Sequence, residues 1–287
     1  YQWYVQTSMA HSMVIVDGKN QYPAPSTPLL YHTGKLFQAV AVENESRWSH
    51  PRFGGHLGYT DAEKKAGVIK TKVGTVKIPE NPPEPGHMTG FTEPVNSRRL
   101  MAVTDDYVLV LDHVAGEKEH TYDLLYQFPG FRNYNDEADV TLLGTREKFD
   151  DSPLSAGQFV TNCRIYAAQG PVRASFMAGY DPDQNGWRKD IPNAVVKDGW
   201  GSLLIDVHTA WPQERRQIIG ESPDNRGFSG TYSAARVTGR EASFVSLIEL
   251  QKKKENRQVK KIEASGLDQI TVTLDDGRVH NWQVKGM

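Results

Sequence analysis

A lone histidine near the start of the chain stands where it could do chemistry. His11 precedes Ser12 to Val16, a run rich in β-branched residues that closes on the turn-forming pair Asp17-Gly18. Such a run predicts a buried strand, so we expect His11 at the mouth of that strand, with a fixed backbone and an imidazole that can reach a cleft. An imidazole can act there as a general acid, a general base or a metal ligand. A hydrogen-bonded histidine with a structural role is the alternative.

A second group of reactive residue types lies between residues 47 and 59. The stretch reads R-W-S-H-P-R-F-G-G-H-L-G-Y and shows no strand period. Arginine guanidinium groups suit carboxylate and sulfate groups, and aromatic faces suit sugar rings. We therefore predict a loop that binds substrate through six side chains: Arg47, Trp48, His50, Arg52, His56 and Tyr59. A packed corner with a solvent-facing arginine is the alternative.

Composition narrows the classes of function. The formal net charge is −2, so no overall basic field favours nucleic acid or an anionic membrane. The apolar runs are too short to span a bilayer. The one cysteine, Cys163, excludes an intrachain disulfide and a thiolate metal cluster, and its apolar neighbours predict a buried, unreactive thiol. The signature motifs of nucleotide-binding proteins, zinc proteases and serine hydrolases do not occur.

The elements that must position these residues are strands. Apolar alternation recurs from end to end, in runs over residues 36–42, 68–78, 98–103, 107–114, 120–128, 158–167, 172–178, 202–208, 215–219, 242–250, 270–274 and 279–284. Gly, Pro, Asn and Asp connect these runs and no βαβ rhythm intervenes, which predicts an all-β fold, a large antiparallel β-sandwich. We predict a single domain over 1–287, and allow for a small C-terminal hairpin appendage at 257–287.

Helical signals are scarce, and several connections are irregular. Asp61 to Ala66 predicts one or two helical turns, and the charged run Gln251 to Asn256 predicts a solvated loop. Thr104 to Asp106 predicts a tight hairpin turn, and Asp276-Gly277 predicts another. Two proline-rich stretches, Tyr22 to Pro28 and Pro79 to Gly90, predict surface loops that could shape a groove, although a stiff connection without function is the simpler interpretation of each.

Two segments resemble those of a known family. The stretch A-H-S-M-V-I-V-D-G, from Ala10 to Gly18, resembles the A-H-N-T-V-x-V-D-G segment of the heparinase II/III-like polysaccharide lyases. The stretch from Phe91 to Val114, followed by E-K-E-H-T-Y-D-L-L-Y-Q, resembles the sandwich core of these lyases, in which a strand ending in V-D-R-V precedes H-T-Y-D-W-x-x-H. Ser12 and Met13 replace the Asn and Thr of the family, and Gln127 stands where a histidine is common. Asp112 and His120 are expected to fix turns by hydrogen bonds.

The resemblance implies a fold, a reaction and a set of roles. These lyases cleave uronic-acid glycans such as ulvan, alginate or glycosaminoglycans by β-elimination. The chain would be the β-sandwich portion of such an enzyme, lacking its N-terminal (α/α) toroid. A tyrosine ahead of the histidine is catalytic in the family, which makes Tyr1 the candidate, whereas Tyr4 is expected to pack at the strand entrance. The histidine binds a structural divalent metal, zinc or calcium, in many members, which makes His11 the candidate, with further ligands outside this chain.

Further expectations follow from the same resemblance, which covers roughly Tyr1 to Phe128. The partners would be an anionic polysaccharide and the toroid domain of the same enzyme, with no nucleic acid and no membrane insertion. The location would be periplasmic or extracellular in a bacterium, with the signal peptide outside this chain. The isolated chain would be inactive or nearly so. A non-catalytic glycan-binding or structural β-sandwich module is the alternative function.

Overall fold

A computed structural model of the chain describes residues 2–51, 60–71, 74–77, 89–128, 130–135, 138–178, 203–223, 229–251 and 257–286. Strands dominate these residues, and the two α-helices found among them are short: α1 (Gln2–Val5) and α2 (Asp61–Ala66). The strands are β1 (Val14–Val16), β2 (Asn20–Gln21), β3 (Ser26–Thr33), β4 (Gln38–Ser46), β5 (Trp48–Ser49), β6 (Val68–Thr71), β7 (Gly74–Lys77), β8 (Val95–Val103), β9 (Val108–Phe128), β10 (Phe131–Tyr134), β11 (Asp139–Lys148), β12 (Thr161–Gln169), β13 (Val172–Ala178), β14 (Leu203–Trp211), β15 (Glu214–Pro223), β16 (Ser229–Gln251), β17 (Val259–Ala264), β18 (Ile270–Leu274) and β19 (Val279–Trp282). The all-β prediction is confirmed.

Two long strands, β9 and β16, build the sandwich. They pair antiparallel along most of their length, with a shift in register between Gly239 and Glu241. On one side of the shift the strand order is β11-β12-β15-β16-β9-β1, which we call the front layer. On the other side the order is β10-β13-β14-β16-β9-β8-β4-β3, which we call the back layer. Because both long strands run through both layers, one sheet folds over on itself.

The main core lies between the two layers. The front layer contributes Ile15, Leu124 and Tyr232, and the back layer contributes Phe176 and Phe244, all of them fully buried in one apolar cluster. Burying a side chain of this kind stabilises the fold by about 1.5–3 kcal/mol. Residues of both layers share one core, so the predicted antiparallel sandwich is confirmed.

A second core lies on the outer face of the back layer. A separate three-stranded sheet, β17-β18-β19, packs there and buries Val259, Val272 and Leu274 against Leu109 and Leu247. The predicted terminal hairpin is present as β18 and β19, and β17 adds a third strand to it. The C-terminal strands therefore share a core with the back layer.

The helix predicted at Asp61–Ala66 is confirmed, and its ends show why it forms. Thr60 accepts a hydrogen bond from the Glu63 N–H (3.2 Å), and the Glu63 carboxylate accepts one from the Thr60 N–H (2.8 Å), which together make a capping box. Gly67 ends the helix in the left-handed region, with φ of 65°. No helix in the described part of the chain is long and apolar enough to cross a membrane.

Three predicted elements differ from the structure. The run 68–78 is a hairpin of β6 and β7 rather than one strand, since Thr71 pairs with Gly74. The runs 107–114 and 120–128 form the single strand β9, and the exposed residues between them lie where the pairing with β16 shifts register, from Ala115 to His120. The predicted loop Tyr22–Pro28 ends early, because β3 begins at Ser26. As an edge strand, β3 tolerates Pro28. Most of Pro79–Gly90 and Gln251–Asn256 lies outside the described residues.

Candidate functional site

His11 lies at the end of a tightly bonded N-terminal segment. A 3-10 turn at Ser8–Ala10 precedes it, and the His11 N–H donates to the Ser8 carbonyl (3.1 Å). The Ser8 N–H donates to Asn20 Oδ1 (3.0 Å), and Ser8 Oγ accepts from the Gln21 N–H (2.9 Å). The His11 side chain is exposed. The segment therefore presents an imidazole to solvent on a fixed backbone, and the catalytic or metal-binding role of His11 stays a prediction.

The two segments that carry the family resemblance, Ala10–Gly18 and residues 91–127, contact each other. Strand β1 pairs with the second half of β9, placing Val14 opposite Leu124. Directly after β1, Asp17 Oδ2 lies 2.8 Å from His120 Nδ1, and Asp17 Oδ1 accepts from the Thr121 N–H (2.9 Å). Asp17 and His120 are 103 residues apart in sequence. The prediction that His120 fixes a turn by a hydrogen bond is confirmed, because the turn that it holds is Asp17-Gly18.

A second carboxylate faces the other side of the His120 imidazole. Glu93 Oε1 lies 3.5 Å from His120 Nε2, and Glu93 Oε2 lies 3.4 Å from Lys118 Nζ. Glu93 Oε1 and His120 Nε2 are both buried, and neither has a hydrogen-bond partner among the described residues. A backbone hydrogen bond, followed by the charge of Lys118, lowers the pKa of Glu93. The imidazole thus lies between two carboxylates at the start of the turn.

An arginine ties the His11 segment to the back layer. Arg99 binds Asp112 through two hydrogen bonds of 2.7 and 3.1 Å, and its third nitrogen donates to the Ser12 carbonyl (2.7 Å). Burial by itself would lower the pKa of Arg99, but the pair with Asp112 raises it overall. Asp112 lies within β9, so the prediction that it fixes a turn is wrong. Sequence reasoning missed this pair, although the hairpin register places Arg99 opposite Asp112.

A cleft of about 150 Å³ opens between the N-terminal segment and the inner face of the back layer. We call it the N-terminal cleft. Amide, hydroxyl and guanidinium groups line it and can bind carboxylates and sugar hydroxyls. Gln21 Nε2 donates to Asn44 Oδ1 at 3.4 Å across its wall. Pockets for small ligands run from about 300 to 1,000 Å³, so this cleft admits one functional group rather than a whole ring. Its walls include Met13, Gln21, Asn44, Ser97, Arg99 and Asp112.

Part of the predicted substrate-binding loop lies beside this segment. Strand β5, which follows Arg47, pairs with β2, which follows the His11 turn. Arg47 is exposed, and its carbonyl accepts from the Tyr22 N–H (2.8 Å). The structure therefore brings Arg47 and the His11 segment to the same edge of the molecule. Three further residues of the predicted loop, Arg52, His56 and Tyr59, lie outside the described residues and stay predictions.

The prediction that Trp48 contacts substrate is wrong. Its side chain is 1% exposed and belongs to the main core. The Trp48 backbone N–H donates to Thr92 Oγ1 (3.1 Å), which holds the residue in place. A ring so deeply buried cannot offer a face to a sugar, so Trp48 supports the wall of the N-terminal cleft instead.

His50 is half-buried beneath a glycine. The His50 N–H donates to the Thr89 carbonyl (2.9 Å), and Lys19 Nζ donates to the Gly90 carbonyl (2.8 Å). A Cβ added to Gly90 would lie 2.4 Å from His50 Cδ2. Burial, and then the charge of Lys19, lower the pKa of His50 against the opposing effect of Asp150. His50 is therefore neutral near pH 7 and suited to hydrogen bonding rather than to charge recognition of an anion.

Two tyrosines near the start of the chain, Tyr1 and Tyr4, were candidates for different roles. Tyr1, the predicted catalytic tyrosine, lies outside the described residues and stays a prediction. Tyr4 is buried, donates to the Met9 carbonyl (2.9 Å) and accepts from Gln127 Nε2 (3.0 Å). Burial raises the pKa of Tyr4 far above its usual value. Tyr4 packs at the strand entrance, as predicted, and is no candidate for a base.

The predicted metal ligand gains no described partner. No group of three or more His, Cys, Asp or Glu side chains in the described part of the chain could hold a metal ion. A metal at His11 would thus need donors from outside that part, and it stays a prediction. Cys163 is buried, and burial raises the pKa of its thiol to about 11, as expected of an unreactive cysteine.

Comparison with known proteins gives distant matches to solved structures only. No protein-family model and no curated protein sequence matches the chain. A heparinase III gene product matches at 13% identity and a TM-score of 0.45, over 99% of this chain and 31% of that one. Heparan sulfate lyase HepC from Pedobacter heparinus matches at 10% identity and a TM-score of 0.44, over 98% of this chain and 31% of that one. The chain thus spans about a third of the length of the lyases it matches.

Proposed function

We propose that this chain is the β-sandwich portion of a heparinase II/III-like polysaccharide lyase, which cleaves uronic-acid glycans by β-elimination. The likeness in sequence at Ala10–Gly18 and at residues 91–127 suggests it. One observation supports it most: these two segments form one unit, through the pairing of β1 with β9 and the 2.8 Å contact between Asp17 and His120. Residues that the resemblance marks as a set are in contact across 103 positions of sequence.

The proposed reaction needs three kinds of group. A cation or hydrogen-bond donor neutralises the uronate carboxylate, which makes the C5 proton acidic enough for a base to remove. The C4–O bond then breaks as the C4=C5 double bond forms, and an acid protonates the leaving oxygen. In this proposal His11 faces the substrate for proton transfer or metal binding, Tyr1 is the acid or base, and Arg47 receives the carboxylate.

The remaining parts of the proposal concern the complete enzyme. An N-terminal (α/α) toroid would supply the other wall of the substrate groove and the remaining reactive groups. The enzyme would act in the periplasm or outside a bacterial cell on an anionic polysaccharide. A divalent metal, if bound at His11, would stabilise the fold rather than take part in proton transfer.

Binding and turnover by residues 1–287 test the proposal together. We expect salt-dependent binding to at least one of heparan sulfate, alginate and ulvan, with no formation of the ultraviolet-absorbing unsaturated product. The variant Arg47→Ala should weaken binding, whereas Arg216→Ala, at an exposed arginine of β15, should not. Failure to bind any of the three polysaccharides contradicts the substrate class. Rapid product formation by these residues alone contradicts the need for a second domain.

A non-catalytic glycan-binding module is the second candidate, and one observation favours it. The arginines at the N-terminal cleft are already paired, Arg98 with Glu43 and Arg99 with Asp112. Elemental analysis and His11→Ala, with His32→Ala as the control at another exposed histidine, separate the two functions. Loss of turnover by the complete enzyme in His11→Ala, or loss of a metal bound by it, supports the lyase. Absence of turnover by the complete protein, with glycan binding that is unchanged in His11→Ala, supports the module.

A further inference from the structure

A second cavity lies at the turn between β8 and β9, away from the N-terminal cleft. Its volume is about 290 Å³. The turn between β3 and β4, the turn between β8 and β9, and strand β19 build it together. From Arg99 in the cleft to Val103 at the end of β8, four residues at about 3.3 Å each give about 13 Å of separation. We call this cavity the aromatic pocket, and its main walls are Leu36, Phe37, Asp105, Arg278, His280 and Trp282.

One wall of the aromatic pocket offers carbon surface. The rings of Phe37 and Trp282 meet edge to face, with centroids 5.1 Å apart. Trp282 Nε1 donates to the Tyr107 hydroxyl (2.9 Å), so its polar atom is already satisfied. Leu36 at the lip is 85% exposed, more than a residue that serves packing would be. Such a wall suits the C–H face of a sugar ring, which packs on aromatic and aliphatic carbon.

The rim of the aromatic pocket is polar and rigid. Arg278 donates two hydrogen bonds to the Asp106 carboxylate (2.9 Å each), which joins the C-terminal sheet to the β8–β9 turn. The Tyr107 hydroxyl also contacts His280 Nδ1 (2.9 Å), which fixes the imidazole. These bonds hold the β8–β9 turn and β19 in one arrangement, and the contact of Phe37 with Trp282 adds the β3–β4 turn.

The rim offers donors and acceptors without an excess of positive charge. Lys35, Arg278, Asp105 and Asp106 line the pocket, and Arg278 pairs with Asp276 as well as with Asp106. Lysine and arginine only donate, and ionised aspartate only accepts. A ligand rich in hydroxyl groups can both donate and accept, so it matches this rim better than a polyanion does.

We infer that the aromatic pocket binds one neutral pyranose ring of a glycan, at a site separate from the N-terminal cleft. A cavity of 290 Å³ is near the lower end of the range for small-molecule pockets, which limits the ligand to about one ring. The inference does not depend on lyase activity, because a glycan-binding module could use the same pocket.

Ligand-observed NMR on residues 1–287 tests the inference, with methyl β-D-glucopyranoside, methyl α-D-mannopyranoside and methyl N-acetyl-β-D-glucosaminide as neutral probes and glucuronate as the charged one. At least one neutral glycoside should show saturation transfer at millimolar concentration, more strongly than glucuronate. Added salt should leave the signal unchanged. Trp282→Ala should weaken binding about tenfold or more, and Trp282→Phe should restore most of it.

Two further variants separate loss of the site from loss of the fold. Leu36→Asp should also abolish binding, and it should cost little stability because Leu36 is exposed. Tyr31→Ala, at a residue of β3 that is 80% exposed and outside the pocket, should bind like the unchanged protein. No transfer to any neutral probe, or transfer that survives both Leu36→Asp and Trp282→Ala, overturns the inference. Binding of anionic polysaccharide through Arg47 should be the same in all these variants, so failure here leaves the proposed function standing.

Discussion

Strand β9 carries two ion pairs of the same design in different surroundings. Asp112 pairs with Arg99 (2.7 and 3.1 Å), and Asp123 pairs with Arg236 (2.7 and 2.8 Å). In each pair the two residues are direct neighbours across the sheet, and each arginine side chain is 25% exposed. What differs is the third contact. Arg99 donates to the Ser12 carbonyl (2.7 Å), whereas Arg236 lies 4.7 Å from the centre of the Phe149 ring.

The comparison teaches that each pair stabilises the fold in the same way. The third contact of the arginine decides which other part of the molecule the pair holds in place. The Asp123–Arg236 pair lies in the interior of the front layer, against the Phe149 ring. The Asp112 pair holds the backbone next to His11 against the back layer, at the N-terminal cleft. If this is correct, the two pairs should contribute alike to stability and differently to the order of the His11 segment.

Removing either aspartate gives the largest expected effect. Asp112→Ala and Asp123→Ala each leave an arginine without its counter-charge, which costs about 3–5 kcal/mol when the pair is buried. The free energy of unfolding in urea measures this. The control is Glu263→Ala, which breaks an exposed pair with Lys261 and should cost less than about 1 kcal/mol. A loss at either aspartate that is no larger than the control would break the comparison.

Gly90→Ala should have the next largest effect, and it tests whether the fold depends on the close packing of His50 against Gly90. Gly90 has φ of 64°, and the added Cβ would lie 2.4 Å from the His50 ring. Backbone strain and overpacking together should cost about 2–4 kcal/mol. Gly67→Ala is the matched control, because its φ is 65° and nothing lies within 4 Å of the added Cβ. Its strain alone should cost about 1 kcal/mol, and equal losses in urea unfolding would exclude a packing role for His50.

Arg99→Lys should sharpen the comparison with a smaller change in stability. Lysine keeps the charge opposite Asp112 but cannot hold a carboxylate with two bonds and reach the Ser12 carbonyl at once. We expect a loss of about 1 kcal/mol and faster hydrogen exchange of the amides of residues 8–13, followed by mass spectrometry. Arg236→Lys should leave those amides unchanged, since Arg236 has no contact with the segment. Equal exchange in the two variants would contradict the tethering role of Arg99.

Local patterns in the sequence were enough to predict the elements whose cause is local. The helix Asp61–Ala66 follows from Thr60 and Glu63, which form the capping box within four residues. The turn at Asp276-Gly277 follows from its residue types, and the left-handed φ of 89° at Gly277 shows why glycine is needed there. The burial of Cys163 follows from its apolar neighbours. In each case the cause lies within a few residues of the effect.

The rest depends on pairing between distant segments, which local periodicity does not contain. Strand β9 is 21 residues long, far beyond the usual five or six, so its polar middle looked like a connection. Trp48 looked like a binding residue because its neighbours are polar, yet the pairing of β5 with β2 turns it into the core. The Asp17–His120 contact needs the pairing of β1 with β9. Only the Arg99–Asp112 pair was within reach, because the predicted Thr104–Asp106 turn fixes its register.

The pH dependence of stability offers the smallest effect and separates His50 from the ion pairs. Burial lowers the pKa of His50 in the folded chain below its unfolded value of about 6.5. As the pH falls through that value, the unfolded chain takes up a proton that folded His50 does not, so folding stability declines and then levels off below the folded pKa. Burial also lowers the pKa of His113, which therefore acts in the same direction.

We expect His50→Gln to remove part of this decline between about pH 7 and pH 5 in urea unfolding, and His50→Gln with His113→Gln to remove more. Arg99→Lys changes neither histidine, so it should shift the whole curve without changing its slope. If the pH dependence of the free energy of unfolding has the same slope in the double variant, neither imidazole is held neutral by burial. The close packing of His50 against Gly90 would then have no effect on its pKa.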